Sequence, residues 1–205
     1  MLDYFLTNVI NALFDVSGCD IDALLVVVGL SYGQGTVSQR VYHISLERPD
    51  SVGTIDSTPA WVGHGAAACV MGNTLYAVGI RQAHNELWKW NAASDWTRCA
   101  DMTSSRCYHC VAVVDSMLYA LGGEVGDDNT TLSSVEAYNT QTSKWSAAGE
   151  LTHAVDRAAW VSYNNSIYVF GGADAKNQAV ADVQVYDSAQ HKCTLLSQCD
   201  ASSLR

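Results

Sequence analysis

Apolar residues along this chain fall in short runs that stop at glycine: Leu75-Tyr76-Ala77-Val78-Gly79, Leu118-Tyr119-Ala120-Leu121-Gly122-Gly123 and Ile167-Tyr168-Val169-Phe170-Gly171-Gly172. Runs this short, bounded by turn residues, read as buried strands and not as helices. Each is preceded by a second apolar run and a two-residue turn. These are Ala66 to Met71 before Gly72-Asn73, His109 to Val114 before Asp115-Ser116, and Ala158 to Tyr163 before Asn164-Asn165. The pairs predict antiparallel hairpins. A polar loop then leads to a third strand, such as Ser134-Val135-Glu136-Ala137-Tyr138, and a fourth that carries tryptophan, as in Ser94-Asp95-Trp96 and Ser143-Lys144-Trp145. The aromatics Trp90, Tyr138 and Tyr186 mark the period, each 48 residues after the last. A fixed period near 50 signals stacked copies of one unit, none of which can bury its apolar face alone. Four antiparallel strands per period predict one propeller blade and an all-β fold.

Two features of the pattern depart from the repeat. Cys193 stands in the last unit where the others have tryptophan, which predicts looser packing there, since the large ring supplies the area between neighbouring units. At the N-terminus, residues 1–18 read as a short amphipathic helix, because Leu2, Phe5, Leu6, Val9, Ile10 and Leu13 fall on one helical stripe.

A hydrophobic strand, a Gly-Gly pair, then Tyr and Trp six or seven residues apart is carried here by Gly122-Gly123, Tyr138 and Trp145. This pattern resembles the kelch repeat. Gly171-Gly172 and Tyr186 carry it in the last unit, Gly79-Ile80, Trp90 and Trp96 in the second, and Leu24 to Leu30 with Val41-Tyr42 in a degenerate first. The resemblance covers roughly residues 22 to 200 and implies a partial kelch β-propeller of about four blades, with repeats near 19–55, 56–101, 102–149 and 150–200. Propellers of the kelch-like class close with about six such blades, so the expectation is an incomplete ring, and Asp200 to Arg205 reads as the start of a further blade. The segment Ala23-Leu24-Leu25-Val26-Val27-Val28-Gly29 resembles the start of the propeller in kelch-like proteins that also carry a BTB domain, a domain not expected within this sequence.

Charge narrows the partners. A net charge of −10 disfavours nucleic acid, whose phosphates select basic surfaces. The first residues lack the basic start of a secretory signal and the longest apolar stretch, Ala23 to Leu30, is too short to span a bilayer, so a cytoplasmic protein without membrane attachment is expected. Seven cysteines, an odd number without an export signal, are expected to be reduced. Cys107 and Cys110 have metal-ligand spacing, but positions three apart on a strand point to opposite faces. His64, His109 and His153 come from three different units, which a ring would hold apart. Gly29 to Gly35 has the glycine spacing of a dinucleotide turn, yet the strand-like alternation of Val41 to Leu46 follows it where a helix is needed. No spacing suggests a nucleophile elbow or a phosphate-binding lysine loop. No catalytic residue, metal or cofactor is therefore expected.

What remains is recognition by loops on a rigid frame. In kelch-like adaptors the partner docks on loops leading into the innermost strand and loops between the second and third. By that resemblance the candidate partner-binding residues are Arg106, Arg157, Tyr108, His64 and Trp61. Arg106 and Arg157 are read as occupying the same place in successive repeats, where a guanidinium can fork onto a partner's carboxylate or phosphate. The competing role is a pairing with an acidic residue of a neighbouring unit, such as Glu124 or Asp156. The resemblance implies the substrate-recognition part of a cullin-based ubiquitin ligase adaptor, with the cullin reached only through a BTB domain and the partner a protein substrate. A kelch scaffold that binds actin is the alternative.

Overall fold

The computed structural model describes residues 65–80, 85–91, 94–125 and 130–196, together with the backbone of four earlier strands. Those four are β1 (Val9–Asn11), β2 (Ala23–Val28), β3 (Arg40–Ser45) and β4 (Val52–Ile55). They form one antiparallel sheet in the order β1-β2-β3-β4. Of the N-terminal segment expected to be helical, only Val9–Asn11 is described, and it is a strand whose Val9 and Ile10 pair with Val28 and Val27. The physical reason is that both residues are β-branched and meet a valine-rich neighbour, which favours sheet over a helix too short to be stable alone.

The second sheet holds β5 (Ala67–Met71), β6 (Thr74–Ile80), β7 (Glu86–Asn91) and β8 (Ser94–Arg98) in sequence order. In the third, β9 (Cys110–Val114) pairs with β10 (Met117–Leu121), and β10 with β13 (Ser134–Asn139), which pairs with β14 (Lys144–Glu150). A short hairpin of β11 (Glu124–Val125) and β12 (Thr130–Thr131) rises between its middle strands. The fourth contains β15 (Ala159–Tyr163), β16 (Ser166–Phe170), β17 (Val183–Asp187) and β18 (Lys192–Leu196). Each unit is thus a four-stranded antiparallel meander, the propeller blade that the repeat predicted.

Successive blades stack face to face through their apolar positions. Strand β9 lies against β5 on one side and β15 on the other, so the first strands of the blades are neighbours. Between the second and third blades, Ala67, Cys69, Tyr76, Val78 and Leu87 meet Val111, Leu118, Ala120 and Tyr138. Between the third and fourth, Cys110, Ala112, Tyr119, Leu121, Val135 and Ala137 meet Ile167, Val169 and Tyr186. Polar tips of large rings stitch the same interfaces: the Trp145 indole donates to Ala100 O at 2.8 Å, Trp160 to Val111 O at 2.7 Å, and the Tyr186 hydroxyl to Ala148 O. Trp145 is half-buried and packs tilted against Tyr138, with ring centroids 5.2 Å apart. Register places Cys193 opposite Tyr186 as Trp145 stands opposite Tyr138, which confirms it as the tryptophan position of the last blade.

Candidate functional site

The residues that lead into each innermost strand line up through the strand register. Cys110 pairs with Leu121 just before Gly122-Gly123, and Ala159 pairs with Phe170 just before Gly171-Gly172. Counting back from these pairs, Tyr108 matches Arg157, and isolated bridges Cys107↔Glu124 and Asp156↔Ala173 fix the same alignment. The position has a left-handed backbone in the second, third and fourth blades: φ is 75° at Gly65, 54° at Tyr108 and 52° at Arg157. Backbone hydrogen bonds chain these three residues around the axis. Tyr108 N–H donates to Gly65 O at 2.7 Å, and Arg157 N–H to Tyr108 O at 2.9 Å. The inter-blade chain holds each residue in a conformation that side chains other than glycine and asparagine rarely adopt.

Arg106 therefore does not occupy the place of Arg157; its counterpart in the fourth blade is the buried Val155. Its side chain is fully buried, at 0 % exposure, and bound to its own blade. It donates to Gly122 O at 3.0 Å, to Ser134 O at 2.9 Å, to Ser134 Oγ at 3.1 Å and to Glu136 Oε1 at 2.8 Å. Glu136 also accepts the backbone N–H groups of Thr103 and Ser104. Burial pushes the Glu136 carboxyl up, but the Thr103 N–H, the Arg106 guanidinium and the Ser104 N–H outweigh it and leave the group below its ordinary value. Burial likewise lowers Arg106, against the pull of Glu136. A guanidinium so enclosed and so engaged braces the lead-in segment and offers nothing to a partner, which corrects the expected binding role. The register, not the sequence spacing, makes this distinction. The one sequence signal was the carboxylate 30 residues on, at the strand position that Gln184 fills in the next blade.

Arg157 is different. Its side chain is 48 % exposed. Its Nε donates to Asp156 Oδ1 and its Nη1 to Asn177 Oδ1 at 3.1 Å, Nη2 lies 3.7 Å from Glu124 Oε2, and the guanidinium carbon sits 5.5 Å above the Tyr108 ring. The hydrogen bond it donates to Asp156 is the main cause that raises its pKa, so the charge is fixed. The cluster therefore joins two blades: Tyr108 and Glu124 belong to the third, Asp156, Arg157 and Asn177 to the fourth. Asp156 and Glu124 are buried beneath the arginine, and the Asp156 carboxylate also faces Thr131 Oγ1 at 3.5 Å. Tyr108 is half-buried, and burial raises its phenol. Below it the Cys107 thiol touches Glu124, with Sγ 3.5 Å from the carbonyl and 3.7 Å from Oε1, and burial followed by the Glu124 charge pushes it up to about 12. At neutral pH that sulfur is a thiol, a poor nucleophile. The arrangement presents a rigid, half-exposed guanidinium on an aromatic ring, suited to contact and not to bond making.

The other candidates fall elsewhere. Trp61 and His64 lie outside the described residues. His109 is buried. His153 is exposed and its Nδ1 is 2.7 Å from Asp182 Oδ2, while its backbone N–H donates to Gln184. Among the described residues no group of three or more His, Cys, Asp or Glu is placed to hold a metal. Of the residues that orient Arg157, Glu124 and Asp156 were named from the sequence as possible partners, whereas Asn177 was missed because it lies 20 residues on in a separate loop.

Comparison with known proteins agrees with the architecture. The kelch motif model matches residues 105–152 and 157–199, the third and fourth blades. Human kelch-like protein 35 is 30 % identical over 158 residues, which cover 75 % of this chain and 26 % of that protein. Kelch-like protein 25 of Xenopus tropicalis is 28 % identical over 145 residues, 65 % of this chain and 25 % of its own. Human kelch repeat and BTB domain-containing protein 4 is 32 % identical over 134 residues, 62 % of this chain and 25 % of that protein. The chain spans about a quarter of the length of these curated relatives. Matching motif, blade structure and relatives together make it a kelch-repeat protein of the BTB-kelch family, and its blades a protein-binding module.

Proposed function

We propose that this chain selects a protein substrate for a cullin-based ubiquitin ligase, as a recognition region of the kelch-like kind acting in the cytoplasm, and that it carries out no reaction itself. The partner docks on the face made by the lead-in segments and the loops between second and third strands, around Tyr108 and Arg157. The observation that carries this reading is the half-exposed Arg157, fixed by Asp156, Asn177 and the Tyr108 ring across a blade junction. A preorganised guanidinium loses little freedom on binding, and arginine and tyrosine are favoured contact residues at protein interfaces. Similarity to kelch-like and BTB-containing relatives supports the ligase setting.

Affinity capture tests it with the wild-type chain and a Tyr108→Asn, Arg157→Asn double variant. Asparagine tolerates the left-handed backbone at both sites, so the blades should stay folded while the contact surface is lost. The expected result is loss of a specific captured protein, whose ubiquitination in cells falls when the variant replaces the wild type. An unchanged set of captured proteins would reject this face as the docking site.

A further inference from the structure

The charge of Arg157 is already answered within its own cluster. Asp156 Oδ1 accepts from Nε, and Glu124 Oε2 lies 3.7 Å from Nη2. Two carboxylates against one guanidinium leave the cluster negative. Both acids are buried, so neither can turn out into water when a partner arrives, and Asp156 is held further by Thr131 Oγ1 at 3.5 Å. The other lead-in arginine, Arg106, is fully buried and matched by Glu136. On the loop between β16 and β17, Asp174 and Lys176 cancel and Asp182 adds a carboxylate. Among the described residues, the loops around Arg157 thus carry more carboxylates than cations.

This balance decides what the arginine can recognise. A carboxylate brought to Arg157 would also come close to Glu124 and Asp156, whose burial leaves their charges poorly screened. Attraction and repulsion then largely offset, and the cost of taking another charge out of water remains. A neutral acceptor meets no such opposition. Nη1 and Nη2 each carry a second N–H beyond those turned to Asn177 and Glu124, and these suit a carbonyl oxygen. The half-buried Tyr108 ring, 5.5 Å from the guanidinium carbon, supplies apolar area beside them.

We propose that the partner docks here through a segment free of acidic side chains and positive in net charge, whose carbonyl oxygens accept from Arg157. The proposal rests on the docking face assigned above and narrows its partner, setting aside the carboxylate or phosphate that an arginine at this place led the sequence to expect.

Random peptides displayed on phage, selected on the full chain and counter-selected on the Tyr108→Asn, Arg157→Asn variant, test it. Peptides that bind only the wild type should contain aspartate and glutamate roughly threefold or more below their frequency in the starting library, because like charges suppress the wrong partners. Glu124→Gln removes one carboxylate and keeps the side chain's shape, so selection on it should bring those residues back near library frequency. Asp115→Asn makes the same change in net charge at the β9–β10 turn, the end of the strands away from the lead-in segments. Asparagine tolerates its φ of 54°, and the depletion should persist. Face-dependent peptides rich in aspartate or glutamate, a depletion that Glu124→Gln does not relieve, or one that Asp115→Asn relieves equally would overturn the inference and leave the docking face standing. If no peptide distinguishes the wild type from the double variant, the docking face itself is rejected and the inference falls with it.

Discussion

Arg106 and Glu136 show how much a single buried pair commits a blade to its shape. Removing one partner strands the other charge away from water, so Glu136→Gln should destabilise the chain by about 3–5 kcal/mol, measured as a fall in urea-unfolding free energy. The fourth blade supplies the neutral solution: Val155 in place of the arginine and Gln184 in place of the glutamate, with Gln184 Oε1 accepting from His153 N–H at 2.8 Å and its amide donating to His153 O at 3.1 Å. The Arg106→Val, Glu136→Gln double variant should therefore recover most of the loss, a coupling that a double-mutant cycle measures directly. Acid dependence follows from the same contacts. A carboxyl whose folded pKa lies below its unfolded value of 4.5 contributes stability that is complete above that pH and lost as pH falls through the folded value. Below about pH 4.5 the wild type should thus lose stability more steeply than Glu136→Gln, seen in urea midpoints taken against pH. At this scale the sequence offered Glu124 and Asp156 as acidic partners of the arginines and did not single out Glu136. It also did not show which arginine was buried and which exposed, because a one- or two-residue difference in loop length moves a side chain from interior to surface.

At the scale of the element, two glycines with similar backbone signs separate two causes. Gly123 has φ 90°, and a Cβ there would sit 2.7 Å from both Cys107 O and His109 Cβ. Gly72, at the tip of the β5–β6 hairpin, has φ 55° and nothing within 4 Å of such an atom. Gly72→Ala should cost about 1 kcal/mol, the left-handed penalty alone. Gly123→Ala adds a collision with main chain, which cannot swing aside, and should cost roughly 2–5 kcal/mol, read as the difference between the two unfolding free energies. Hairpins such as β9–β10 and β15–β16 were legible because alternation and turn residues agree within a dozen positions. The N-terminal strand was misread as helix because a short apolar run satisfies both periods, and its pairing with β2 decides between them.

Over the whole molecule, blades meet only their neighbours in the described region, so stability should be distributed as nearest-neighbour terms. Ile167 is fully buried at the junction of the third and fourth blades. Ile167→Ala should cost about 2–5 kcal/mol of packing at that junction. Amide hydrogen exchange should show the loss concentrated in β15 to β18, with β5 to β7 changed least. Uniform loss of protection across all sheets would mean that the blades unfold as one unit.

The sequence by itself determined the repeat, its four-stranded unit and the apolar positions through which units stack, because strand period, turn chemistry and ring size are local properties written every 48 residues. Only the tertiary structure decided that Arg106 is a brace, that Arg157 is held by Asp156, Asn177, Glu124 and Tyr108, and that the large exposed apolar side chains among the described residues lie on the fourth blade. Those outcomes depend on the register between strands and the approach of one blade to the next, contacts between residues far apart in the chain that no local pattern encodes.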